Sequence, residues 1–189
     1  RTGLHANVTG AFPLTTFTKI IDSMLAGTWT GNPGALVPPP APEPAQPNIL
    51  SVPAPSAADH TRGSAEARYA FILYGVAEGP FVRRFYPDVQ KLLQANSDLK
   101  LVYRHYPLSF HTHSRPAAEA MECAAEQGGN AAFWTYADEI YAYTEKLDHY
   151  GSTSEIWNYA AIAKAQGLDA ERFQSCIDDN RYEALITAQ

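Results

Sequence analysis

The sequence predicts an α/β fold: a strand–helix–strand unit, then a long helical stretch, with a proline-rich segment dividing both from a short N-terminal piece. Three observations carry this. Tyr69 to Tyr74 is an unbroken apolar run of strand length. Pro80 to Ala95 repeats its apolar residues (Phe81, Phe85, Val89, and Leu92 or Leu93) at helical spacing. Beyond Pro107 that helical spacing continues almost to Gln189.

In chain order, Leu14, Phe17, Ile20, Ile21, Met24 and Leu25 form one apolar stripe. Pro13 suits a first helical turn, and Gly27 a stop. A helix this short is marginal alone and needs a surface to pack on. Residues 28–58 hold 9 of the 14 prolines, so they read as an extended linker or strap without a core of its own. The main body begins at Asp59. Tyr69–Tyr74 is expected to be a central strand buried on both faces. Gly75 to Gly79 is a turn, and Leu99–Arg104 a second strand, parallel to the first as a βαβ connection requires. Helices are expected at about 115–127, 130–146, 153–166, 169–178 and 180–188. Ser152 or Thr153 caps the third, with Glu155 in its first turn; Gly167 ends it and Asp169 caps the next.

Composition narrows the function. A hydrophobic share of 46% supports a real core, and a net charge of −6 leaves no basic face for nucleic acid. No apolar run approaches the roughly 18–20 residues that span a bilayer. There is no Met at position 1 and no evident signal peptide, as in a mature product or a fragment. The two cysteines, Cys123 and Cys176, are too far apart for a Cys-x-x-Cys pair or a zinc half-site. On the residues alone they are either two buried thiols or one disulfide. His105, His111 and His113 cluster in sequence with His60 within reach, but no metal is expected, nor any other cofactor. Phe133, Trp134, Tyr136, Tyr141, Tyr143, Trp157 and Tyr159 read mainly as core; Asp138, Glu139, Glu145 and Asp148 read as a solvated face. Asn7-Val8-Thr9 is a lone glycosylation sequon.

Four strings then combine: Asp59-His60-x-x-Gly63; Tyr74-x-x-x-Glu78-Gly79-Pro80-Phe81-Val82-x-Arg84-Phe85-x-Pro87; Val102-Tyr-Arg-His105-Tyr-Pro-Leu108-Ser-Phe-His111; and Ala117-Ala-Glu-Ala-x-Glu122-Cys-Ala-Ala-Glu-Gln-Gly128. From about residue 59 to 189 the chain resembles the DsbA-like thioredoxin-fold oxidoreductases, in the branch with an α-helical insertion (here about 107–189) and an accessory cysteine pair. The resemblance implies a thioredoxin-like fold with a helical insertion. It also implies that Cys123 and Cys176 form that branch's structural disulfide, and hence an extracytoplasmic setting: periplasmic, cell-surface or secreted.

In that family a Cys-Pro-Phe-Cys motif opens the first helix, where the helix N-terminus favours a thiolate. Here the aligned residues are Gly79, Pro80, Phe81 and Val82. This vestigial site has no sulfur, so no catalytic residue is assigned and disulfide exchange there is excluded. The family's acids in the first strand and just before the motif align with Leu73 and Val76. Residues 1–27, with Asn7-Val-Thr-Gly10-Ala11, resemble the family's closing strand and helix, and the stretch holding its cis-proline loop has no counterpart. The chain is then either a circular permutation or a slice of a tandem protein, with an open strand edge that a partner protein or a second copy fills by strand swapping. The expected function is a redox-inactive binding or structural subunit of an extracytoplasmic complex. The alternative is an oxidoreductase, isomerase or chaperone whose working Cys-x-x-Cys lies elsewhere in a longer protein.

Overall fold

The computed structural model describes residues 14–28, 52–145 and 157–189. The sequon, the turn at 7–11, Pro13, the prolines of 38–47, the side chain of Tyr143 and the cap at Ser152 or Thr153 lie outside the described residues. The chain divides into two compact units, Arg1–Ala54 and Pro55–Gln189.

The first unit contributes α1, Leu14–Leu25. Its apolar stripe is the buried one: Phe17, Ile20 and Ile21 are covered, with Leu14, Met24 and Leu25 half-buried. The helix ends as expected. The Gly27 N–H donates to Met24 O and the Thr28 N–H to Ser23 O, which satisfies two of the last carbonyls.

The second unit runs β1 (His60–Gly63), β2 (Tyr69–Gly75), α2 (Pro80–Ala95), β3 (Leu99–His105), α3 (Ser114–Glu145), α4 (Tyr159–Ala165), α5 (Ala170–Asp178) and α6 (Glu183–Ala188). The sheet order is β1-β3-β2. β2 and β3 are parallel, Tyr69 opposite Leu99 and Gly75 opposite His105, as the βαβ reading requires. β1 joins β3 antiparallel, His60 opposite Tyr103.

One expectation is corrected by this topology. The central strand is β3, buried at six of its seven positions; β2, the longer apolar run, is only partly covered. Burial follows pairing order more than hydrophobicity here. β3 tolerates the central place despite its charge because Arg104 is paired with Asp59 at 2.7 Å. The strand β1 has no apolar pattern to announce it. Side chains from α3 hold it instead: Asn130 exchanges two hydrogen bonds with the Thr61 backbone, the Trp134 indole donates to Thr61 O, and Asp138 accepts both terminal nitrogens of Arg62.

Leu73, Leu101 and Tyr103 point from the sheet into one core with Val89 of α2, Phe133 and Ile140 of α3, and Phe173 of α5. In α3 the backbone leaves helical geometry at Gly128 and Gly129, the break that the sequence predicts between two helices. Gly129 has φ 65°, a left-handed conformation that glycine adopts without a Cβ penalty. Within the helix expected over 153–166, α4 starts at Tyr159 behind the Asn158 cap, which accepts the Ala161 N–H, and 153–156 lie outside the described residues. Asp169 caps α5 as expected, accepting the N–H groups of Glu171 and Arg172. The last helix starts at Glu183, three residues later than expected, since Asn180 takes a positive φ of 47°. Of the expected aromatic core, Phe133, Trp134, Tyr136, Tyr141 and Trp157 are buried and Tyr159 is half-buried.

Candidate functional site

The head of α2 lies where the parallel strands end. Gly79 is the N-cap, with extended backbone (φ −73°, ψ 120°) and no side chain to cap the first turn; Pro80 follows in that turn. Val82 packs against the core, whereas Phe81 points outward, 64% exposed. Leu73 and Val76, the positions aligned with the family's acids, are buried apolar groups. The structure therefore brings the six expected positions together, and none of them carries a nucleophile, an acid or a base. The free N–H groups of a helix N-terminus remain, but there is no thiolate for them to stabilise.

The loop is filled as well as stripped. A Cβ at position 79 would stand 2.5 Å from Val76 Cγ1 and 3.2 Å from Val76 O. The Gly79 N–H also donates to Val76 O, closing the turn. Any side chain at 79 therefore needs Val76 to move.

Glu78 is turned toward the segment before α3. It accepts the His113 N–H at 2.8 Å and sits 3.9 Å from His111 Nδ1. Tyr106 donates its N–H to Gly75 O, so the 106–113 segment borders the same end of the sheet. Among the described residues the exposed large hydrophobic side chains are Phe81, Tyr106 and Phe110. The first sits on the first turn of α2 and the other two in this bordering segment.

Cys123 of α3 and Cys176 of α5 form a disulfide, with Cα atoms 5.9 Å apart and both residues buried. Neither of the chain's cysteines is a free thiol.

The histidines separate into two groups. His60 and His105 converge on Glu122, both through Nε2. His113 stacks on Trp157 and His111 lies beside Glu78. Among the described residues no group of three or more His, Cys, Asp or Glu is placed to hold a metal ion. Burial alone would raise the Glu122 carboxyl, but the hydrogen bonds from His105 and His60 outweigh it and hold it down to about 2. Burial raises Glu119, and the Tyr182 N–H offsets this only in part. Asp138, its side chain 40% exposed on the expected solvated face, is also a junction of hydrogen bonds. It accepts from Arg62, from the Tyr86 hydroxyl at 2.7 Å and from Gln90 at 2.8 Å, joining β1 and α2 to α3. Nothing in the local sequence marks it, because its partners lie 48 to 76 positions away.

The family described as Thioredoxin matches residues 56–189. The chain is 35% identical over 133 residues to the Na(+)/H(+) antiporter NhaA 3 of Salinispora tropica, covering 70% of this chain and 19% of that protein. It thus spans about a fifth of the length of the curated relatives it matches. The solved structure of alpha-DsbA1 from Wolbachia pipientis superposes with a TM-score of 0.56 at 18% identity, covering 71% of this chain and 66% of that one. BdbD from Bacillus subtilis gives 0.56 at 18% identity, covering 69% and 71%. These two likenesses concern the fold.

Proposed function

Because the chain belongs to the thioredoxin family, with the fold of its DsbA-type members, we propose that it is a redox-inactive binding or structural domain and not an enzyme. The observation that carries this reading is the head of α2: Gly79 and Val82 stand where the chemistry needs two sulfurs, and the chain's only cysteines are bonded to each other elsewhere. The neighbouring aromatic surface of Phe81, Tyr106 and Phe110 supports a binding role, since exposed aromatic groups are typical anchors of protein contacts. The disulfide supports an extracytoplasmic, oxidising setting. Among the described residues no helix is long and apolar enough to cross a membrane. The partner class favoured by the comparisons is an integral membrane transporter, since the matching stretch of the Salinispora relative is part of an antiporter. Residues 28–58, with 9 prolines, then serve as a tether to the 59–189 domain.

Insulin reduction and thiol titration of the native chain test the reading. Neither catalysed reduction nor an accessible thiol is expected, and catalysed turnover would overturn it. Crosslinking in native membranes tests the partner: a transporter subunit is expected with the wild type and lost with Phe81→Ser/Phe110→Ser.

A further inference from the structure

Among the carboxylates paired with a cation from another element, Glu122 differs in the kind of cation it faces. Asp59 and Asp138 are held by Arg104 and Arg62, which are charged at every relevant pH. Glu122, on α3, is held by two imidazoles. His60 of β1 directs Nε2 at both carboxylate oxygens, at 3.1 and 2.9 Å. His105 of β3 reaches Oε1 at 2.8 Å. The His60 ring lies flat on Phe133, with centroids 3.6 Å apart and planes 8° apart, a placement that attracts a charged ring more than a neutral one. The His60 side chain is 15% exposed and that of His105 only 3%, so His60 is the member that reaches water.

We propose that His60 is a proton-dependent counter-ion of Glu122, a pH-sensitive fastening of β1, and of the chain's entry at Pro55, onto α3. With the proton on, the buried pair is neutral. With it off, a carboxylate stays buried behind two uncharged rings, and β1 keeps only its permanent ties, Arg62–Asp138 and Thr61–Asn130. The other titratable or charged groups around the pair are Glu119 one turn earlier on α3, Tyr103 and the Asp59-bound Arg104 on β3, the Asp138-bound Arg62 on β1, and Tyr182 ahead of α6. None of them supplies a second free cation to Glu122, whose stabilising interactions come from His105 and His60. Imidazole exchanges its charge between about pH 5 and 8.

The test is thermal unfolding of the whole chain from about pH 5.5 to 8 for wild type, His60→Asn and Glu122→Gln, with nitrogen NMR of the His60 ring in the wild type. The wild-type Tm is expected to fall by about 4 °C or more across the window, with most of that slope gone in both variants. Amide exchange of Thr61 to Gly63 is expected to quicken toward pH 8 beyond its intrinsic rate. Equal slopes in wild type and His60→Asn would overturn the proposal. Should neither variant fold, the ring decides: His60 carrying both protons at the acid end supports the proposal, and a neutral ring throughout overturns it.

Discussion

The head of α2 and the inner face of α3 border the same core and treat charge in opposite ways. Around Gly79 the positions where the resemblance implies thiols and acids hold Gly79, Val82, Leu73 and Val76. On α3, Glu119, Glu122 and Asp138 remain carboxylates, and each meets a donor: the Tyr182 N–H, two imidazoles, and an arginine with a tyrosine and a glutamine. A buried charge without a partner costs several kcal/mol, so an acid whose only task was to tune a thiol is a liability once the thiol is gone. A carboxylate that joins two elements has no such fate. The difference separates the uncharged positions around Gly79 from the carboxylates that join one element to another.

The strongest way to break that contrast is at the disulfide, which belongs to the architectural side. Cys123→Ala/Cys176→Ala is expected to cost roughly 4 kcal/mol in urea unfolding, the cost of releasing a loop of 53 positions. A loss below about 1 kcal/mol would show that the helices hold without it. Next comes Arg104→Ala, which strands Asp59. Burial works to raise the Asp59 carboxyl, and its bonds to Arg104 and Ser56 hold it below the ordinary carboxylate range. About 2 kcal/mol of loss is expected at neutral pH, shrinking as the solution is acidified through the carboxylate range. On the acid side Glu122 shares that sign: its folded value of about 2 lies below its ordinary 4.5, so its contribution disappears as pH falls from the ordinary value toward 2.

A third test sharpens the other side. Gly79→Ala is expected to destabilise by about 1–3 kcal/mol through overpacking, and Val76→Ala to relieve it, giving a coupling of about 1 kcal/mol in a double-mutant cycle. Strict additivity would mean that Val76 does not fill the site. Gly79→Cys/Val82→Cys is expected to leave insulin reduction near background while Val76 is intact. Smallest in stability is Phe110→Ser, within about 0.5 kcal/mol of wild type, because the ring is 77% exposed. Its effect is expected in partner crosslinking alone.

Legibility in the sequence followed the range of the interactions. The runs of β2, α2 and β3, the Gly128–Gly129 break and the Asp169 cap are local signals, and they stand where expected. The strand His-Thr-Arg-Gly of β1 was hidden because its stabilising groups, Asn130, Trp134 and Asp138, come from 69 to 76 positions further on. The partners of Asp138 were hidden for the same reason. The reading of Gly79 to Val82 rested on the family motif. That Val76 fills the space beside Gly79 is a fact of backbone path, which no pattern of residue types encodes.

That contact bears on how this domain can change over generations. Sequence drift proceeds mostly one codon at a time. A lone cysteine at 79 meets Val76, and trimming Val76 first opens a gap with no benefit while glycine still follows. Each order of steps passes through a poorer protein, so the gain of a side chain at 79 is opposed by one methyl group of Val76.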